Sequence, residues 1–218
     1  MDWLGPIIHE YYGQSEGTGM TAIGPHDWLE HKGSVGRSAV GNVHIVDDEG
    51  NVLPAGEIGH IMFEGDVEFK YHKEPEKTAA TFDERGWARP GDMGWLSPEG
   101  YLYLTDRASH MIISGGVNIY PQEIEAVLTL HPFVRDVAVI GVPDDEFGEQ
   151  VKAVIELADD VEPADATAED LLALCREHLA GYKCPKSVDF VDELPRLPSG
   201  KLLKRELRKR YWPEGQTL

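Results

Sequence analysis

The chain has 218 residues, 41% hydrophobic and 27% charged, with 39 Asp and Glu against 20 Lys and Arg, a net charge of −19. That is room for one large or two small domains around an apolar core, and the composition is that of a globular chain, not a disordered one. A surface this acidic repels nucleic acid and anionic lipid, and no apolar run approaches the roughly 20 residues that cross a bilayer. Residues 1–13 lack the basic start and long apolar stretch of a signal peptide. The two cysteines, Cys175 and Cys184, make neither a disulfide framework nor a zinc site, and read as reduced thiols in a cytoplasmic protein.

In chain order, residues 1–105 are rich in Gly, Pro and short β-like runs. VHIVDDEGNVLP predicts a strand, a turn and a second strand, and EIGHIMFEG predicts another. GWLSPEGYLYLT predicts a hairpin whose turn is Ser97, Pro98, Glu99 and Gly100. Together they predict a β-rich subdomain, a barrel or a sandwich. From Asp106 the texture becomes α+β. Pro121 suits the first turn of a helix, and Ile124, Val127 and Leu128 recur at helical spacing. DVAVIGVP and QVKAVIEL read as strands. Thr167 with Asp170 is a capping pair, opening a helix with Leu171, Leu174, Cys175 and Leu179 on one face. SVDFV is a short strand and LLKRELRKRY a basic helix. The expected fold is thus α+β: a β-rich, barrel-like part over 1–105, then a small α+β domain over 106–218.

Charge is distributed unevenly. Residues 144–170 hold eleven carboxylates and one basic residue, Lys152, whereas residues 196–210 hold seven basic residues and one acid, Glu206. Lys204, Arg205, Arg208, Lys209 and Arg210 read as the solvated outside of the last helix; Lys201 stands on the loop before it.

Four polar, Gly-rich segments invite chemistry. In YYGQSEGTG, Ser15 can hydrogen-bond a phosphate oxygen and Glu16 can offer Mg²⁺ a hard oxygen, although Gly-Ser-Glu loops are common without either role. In RPGDMG, Asp92 can accept both hydroxyls of a ribose or cap its own turn. In DRASHMIISGGVNIYPQEIE, Arg107 follows a strand and Gly115 and Gly116 lie at a bend; an ordinary ion pair and an ordinary turn are the alternatives. In LPRLPSGKLLKREL, prolines stiffen a loop that presents Lys201, well placed to meet developing negative charge.

The order and spacing of these segments resemble the C-terminal part of an acyl-CoA synthetase of the adenylate-forming, AMP-binding family. YYGQSEG resembles that family's Tyr-Gly-x-Thr-Glu loop, the stretch from GWARPGD to YPQEIE its inter-domain segment, and LPRLPSGKLLKREL its C-terminal lysine motif. The resemblance covers nearly the whole chain. It implies a two-step ligase, in which ATP and a carboxylic acid, expected to be a fatty acid, give an acyl-adenylate and pyrophosphate, and the thiol of coenzyme A then displaces AMP.

By the same resemblance, Tyr12 stacks on adenine, Ser15 contacts phosphate, Glu16 holds Mg²⁺, Asp92 binds the ribose hydroxyls and Arg107 lies near that sugar. Lys201 is implied to bridge the carboxylate and the α-phosphate. Gly115 and Gly116 are implied to line the thioester-forming face, reached by rotation about a hinge at 106–110 that includes Ser109. Ser15 stands where Thr is commoner, and Ser109 where relatives carry Asp or Lys. The family's Gly/Ser/Thr-rich phosphate loop has no match here, which implies a missing N-terminal half, a chain inactive alone and self-association through uncovered apolar surface. A weak nucleotide- or partner-binding module is the alternative reading; an adenylation domain loading a carrier protein is another, disfavoured because the chain ends at Leu218 with no carrier segment.

Overall fold

A computed structural model describes residues 4–159, 161 and 168–212. Thr167, the expected partner of Asp170 in a helix cap, lies outside them. The chain divides into two compact units, Met1–Ser109 and His110–Leu218. The division falls a few residues after the change of texture at Asp106.

The first unit is built on seven strands: β1 (Glu10–Gly13), β2 (Met20–Ile23), β3 (Ser34–Val40), β4 (Asn42–Val46), β5 (Gly59–Glu64), β6 (Asp92–Leu96) and β7 (Leu102–Arg107). Their order is β1-β2-β3-β7-β6-β5-β4, with antiparallel pairing throughout. The path begins at β1 and ends at β4, so among the described residues the sheet is open. The barrel-like expectation is corrected to an open, β-rich sheet. Helices α1 (Pro25–Glu30) and α2 (Pro75–Thr81) each start on a proline, whose missing N–H is no loss in a first turn. The core is Val35, Ile45, Ile61, Phe63 and Leu102.

The sequence predicts β4, β5 and the β6–β7 hairpin, and their strands carry inward-facing apolar residues. The second strand expected in NVLP shrinks to a single bridge, Val46 to Val52. Asp47 N–H donates to the Asn51 carbonyl at 3.0 Å and Leu53 N–H to the Ile45 carbonyl at 2.8 Å on either side of it, and Pro54, which has no N–H to give, ends the pairing. Strand β3 is invisible to a pattern search because Gly36 interrupts it. That glycine has φ +96°, and a Cβ there would lie 2.1 Å from the Ala22 carbonyl oxygen.

In the second unit, β8 (Ile112–Ser114) and β9 (Val117–Ile119) form a hairpin, followed by α3 (Pro121–Leu128), β10 (Val134–Asp144), β11 (Gly148–Leu157), α4 (Ala168–His178), β12 (Ser187–Val191) and α5 (Lys204–Arg208). β11 is central, pairing antiparallel with β10 and β8 and parallel with β12. Alternation along β10 sends Val137 and Val139 to the face covered by Ile124, Leu128, Leu171 and Cys175. Ala138, Ile140 and Val142 go to the other face, covered by Leu194 and Leu207. A strand buried on both faces reads as an unbroken apolar run, which is what DVAVIGVP is.

The basic C-terminal segment departs from expectation. Lys204 is 8% exposed and its ammonium meets Glu125 at 2.6 Å; Arg208 meets the buried Glu149 at 2.7 Å. Two of the five residues expected on the solvated face therefore turn inward. Leu207, fully buried beside them, sets the helix face, and residues 204, 207 and 208 share it.

Candidate functional site

In the first unit, the antiparallel register places Asp92 opposite Arg107 on neighbouring strands. The Arg107 Nε lies 3.1 Å from one Asp92 oxygen, and the Tyr12 hydroxyl, brought in by β1, donates to the other at 2.6 Å. The Tyr12 ring stacks against Phe63 at 6.1 Å between centroids. Burial, and then the hydrogen bond to the Asp92 carboxylate, push the Tyr12 phenol well above its ordinary pKa, so it stays a donor. The fold thus gathers Tyr12, Asp92 and Arg107 from distant stretches into one cluster. Both oxygens of Asp92 are held by the chain's own side chains.

Ser15 and Glu16 stand on the turn after β1, closed by Gly17 N–H donating to the Gln14 carbonyl at 3.0 Å. Gly17 has φ +69°. Ser15 is exposed and lines a cleft of about 450 Å³ with Gly13, Gln14, Gly19 and Met20. Glu16 is half-buried and accepts the Tyr71 hydroxyl at 2.5 Å. That hydrogen bond, with one from its own backbone, holds the Glu16 carboxyl below the usual range. Tyr71 is a residue that sequence reasoning missed; its segment, FKYH, carries no motif, and only the fold brings it to Glu16.

The donor set fits one kind of magnesium site. Among the described residues no group of three or more His, Cys, Asp or Glu could hold a metal, so a cage made by the protein alone is not present there. Mg²⁺ carried on a nucleotide's phosphates needs only one or two protein carboxylates, and Glu16 offers one.

In the second unit, Lys201 sits on a tight loop. Leu197 N–H donates to the Lys201 carbonyl at 2.9 Å and Gly200 N–H to the Leu197 carbonyl at 2.8 Å, with Gly200 at φ +85°. The Lys201 side chain is exposed and makes no polar contact among the described residues. Arg196, which the motif did not single out, clamps this loop: its guanidinium donates to the Gly200 carbonyl at 2.5 Å and pairs with Asp136 on β10.

Gly115 and Gly116 form the two-residue turn of the β8–β9 hairpin, at φ +57° and +80°. Such turns twist with their strands only when both residues take positive φ. A Cβ at Gly115 would press on the Phe147 ring at 2.9 Å, whereas one at Gly116 would meet open space. Ser109 is exposed, in a short 3₁₀ turn (Ala108–His110), and is the last residue of the first unit.

Residues 1–70 match the AMP-binding enzyme family and residues 123–201 match the AMP-binding enzyme C-terminal domain. A long-chain-fatty-acid–CoA ligase of Mycobacterium tuberculosis is 43% identical over 88% of this chain and 38% of its own length. A 2-succinylbenzoate–CoA ligase of Bacillus cereus is 39% identical over 93% of this chain and 41% of its own length. The structure of ATP-bound MatB from Rhodopseudomonas palustris superposes with a TM-score of 0.82 at 38% identity, over 94% of this chain and 40% of that one. The chain thus spans about two fifths of the length of the relatives it matches. Both family matches, in order, and identities near 40% across most of the chain place it: it belongs to the AMP-binding enzyme family.

Proposed function

We propose that this chain is the part of an ATP-dependent acyl-CoA ligase that holds the adenosine end of the nucleotide and supplies the catalytic lysine. The observation that carries the reading is the convergence of Tyr12, Asp92 and Arg107 from distant stretches of chain. An aromatic face, a carboxylate and a guanidinium are what adenine and a ribose diol require. A nucleotide takes Asp92 over from Tyr12, freeing that ring to stack on the base. Ser15 meets a phosphate oxygen, and Glu16 takes the Mg²⁺ that neutralises phosphate charge.

In the first half-reaction a carboxylate oxygen attacks the α-phosphorus and pyrophosphate leaves. Both partners are anions, and the ammonium of Lys201 stabilises the charge that builds between them. In the second, a thiol attacks the acyl carbon, AMP leaves, and the thiol proton is released. Gly116, open to solvent, leaves room for a thin pantetheine arm. Ser109 is the pivot between the two steps. The acid is a fatty acid in this reading, and the protein is cytoplasmic.

The test is Lys201→Ala in protein carrying both this chain and the preceding part of the AMP-binding domain. Acyl-adenylate formation falls by about two to three decades, the equivalent of roughly 3–4 kcal/mol, while thioester formation from supplied acyl-adenylate stays near normal. Equal losses in both half-reactions overturn the assignment. The chain by itself binds AMP and metal-free ATP about equally, with dissociation constants near or above the millimolar range, about −4 kcal/mol. Micromolar ATP binding would show a phosphate site beyond the residues named.

A further inference from the structure

We propose that Tyr71 is a positioning residue for the Glu16 carboxylate, aiming it at the divalent cation that a nucleotide's phosphates carry. The inference rests on the adenylate-forming reading above. Glu16 alone, half-buried on a turn, has several rotamers to choose from, and a cation held by a single protein carboxylate depends on one of them. The hydroxyl of Tyr71 fixes that choice. It donates to Oε1 of Glu16 at 2.5 Å, across 55 residues of chain. The carboxylate's other lone pairs stay available to a cation. Donors behind a ligating carboxylate set its orientation in just this way.

The phenol is itself firmly held, which a casual surface contact would not be. The Tyr71 N–H donates to the Thr78 hydroxyl at 2.9 Å, at the first turns of α2. The Lys77 ammonium lies 4.0 Å over one face of the ring, and Phe69 meets it edge-on at 4.6 Å. Two residues on, Lys73 has φ +59°, the one non-glycine with positive φ among the described residues. A side-chain-bearing residue in the left-handed region marks a turn whose shape its surroundings impose. That turn carries the chain from Tyr71 into α2, so the helix that holds the ring and the strained residue that admits the helix both serve one hydroxyl. Among the described residues the Tyr71 hydroxyl has its hydrogen bond to Glu16 and none to Tyr12, Asp92 or Arg107, so Tyr71 is expected to affect the cation and not the nucleoside.

The experiment uses the full 218-residue chain, with Mn²⁺ as the probe. Water-proton relaxation follows the Mn²⁺–ATP complex as protein is added; NMR shifts follow metal-free AMP in parallel. Tyr71→Phe keeps the ring and its contacts but loses the donor. It is expected to weaken Mn²⁺–ATP binding roughly tenfold and leave AMP unchanged. Glu16→Gln weakens Mn²⁺–ATP at least as much, and the double variant no further, because both act through one carboxylate. Glu16→Asp, which keeps the charge but draws it out of reach of Tyr71, reproduces the loss and serves if Tyr71→Phe does not fold. A loss with Glu16→Gln but none with Tyr71→Phe or Glu16→Asp overturns the positioning role and leaves the metal assignment standing. No loss with Glu16→Gln overturns the metal assignment and the positioning role with it. A loss of AMP binding in Tyr71→Phe equal to that of Mn²⁺–ATP means the hydroxyl acts through the loop's fold, and also overturns the proposal.

Discussion

Two glycines show how differently one residue type can be constrained. Gly36 combines φ +96° with a carbonyl oxygen 2.1 Å from any added Cβ, so both the backbone angle and the space forbid a side chain. Gly116 has φ +80° but open space around it. Gly36→Ala should therefore destabilise the first unit by roughly 3–5 kcal/mol, from strain and overpacking together. Gly116→Ala should cost the second unit only about 1–2 kcal/mol, the left-handed penalty alone. Urea unfolding of the two variants checks this; similar losses would refute it. At this scale the sequence is legible where a residue's chemistry suffices and opaque where its neighbour decides. Lys201 can be singled out because prolines and a Ser-Gly turn precede it. Tyr71 and Arg196 cannot, because their roles depend on Glu16 and on the loop carbonyl of Gly200, which only the fold brings near.

Among the elements, α4 is legible because its periodicity matches its burial, and β10 because an unbroken apolar run matches burial on both faces. The final helix is misread for a physical reason: a run of basic residues looks solvated unless buried acids await it, and Glu125 and Glu149 lie on α3 and β11, far away in sequence. The same Glu125 oxygen that meets Lys204 also accepts the Val139 N–H at 2.7 Å, so the buried pair is tied to β10 as well. The end of this segment carries a pH signature. Burial, and then a hydrogen bond to Asp189, push the Tyr211 phenol from its ordinary 10 up to about 12. A folded-state pKa raised above the unfolded one stabilises the fold below the unfolded value and loses that contribution as pH rises through the folded one. The second unit should weaken between about pH 10 and 12. Tyr211→Phe, which keeps the ring beneath Lys152, should flatten that fall; an unchanged alkaline limb would refute the assignment.

At the scale of the whole molecule, each unit has its own core and the chain passes between them at Ser109 and His110. Arg107 is exposed beside that passage, so brief trypsin treatment should cut after it and leave a folded fragment that begins at Ala108. A single cooperative transition with no protected fragment would show one shared core.

The open end of the first sheet has a consequence in ionic strength. Leu4, Ile7, Ile8 and Tyr11 are 58%, 58%, 43% and 74% exposed, along and just before the terminal strand β1. A bare strand edge with apolar neighbours invites a second copy. The net charge of −19 opposes that approach, since two such molecules repel until salt screens them. Screening reaches only about 10 Å at 0.1 M salt and about 3 Å at 1 M. Added salt should therefore drive association, the reverse of what a charge-paired interface does. Sedimentation velocity at low and high sodium chloride would read the effect directly, and Ile7→Glu with Ile8→Lys should abolish it without altering the net charge.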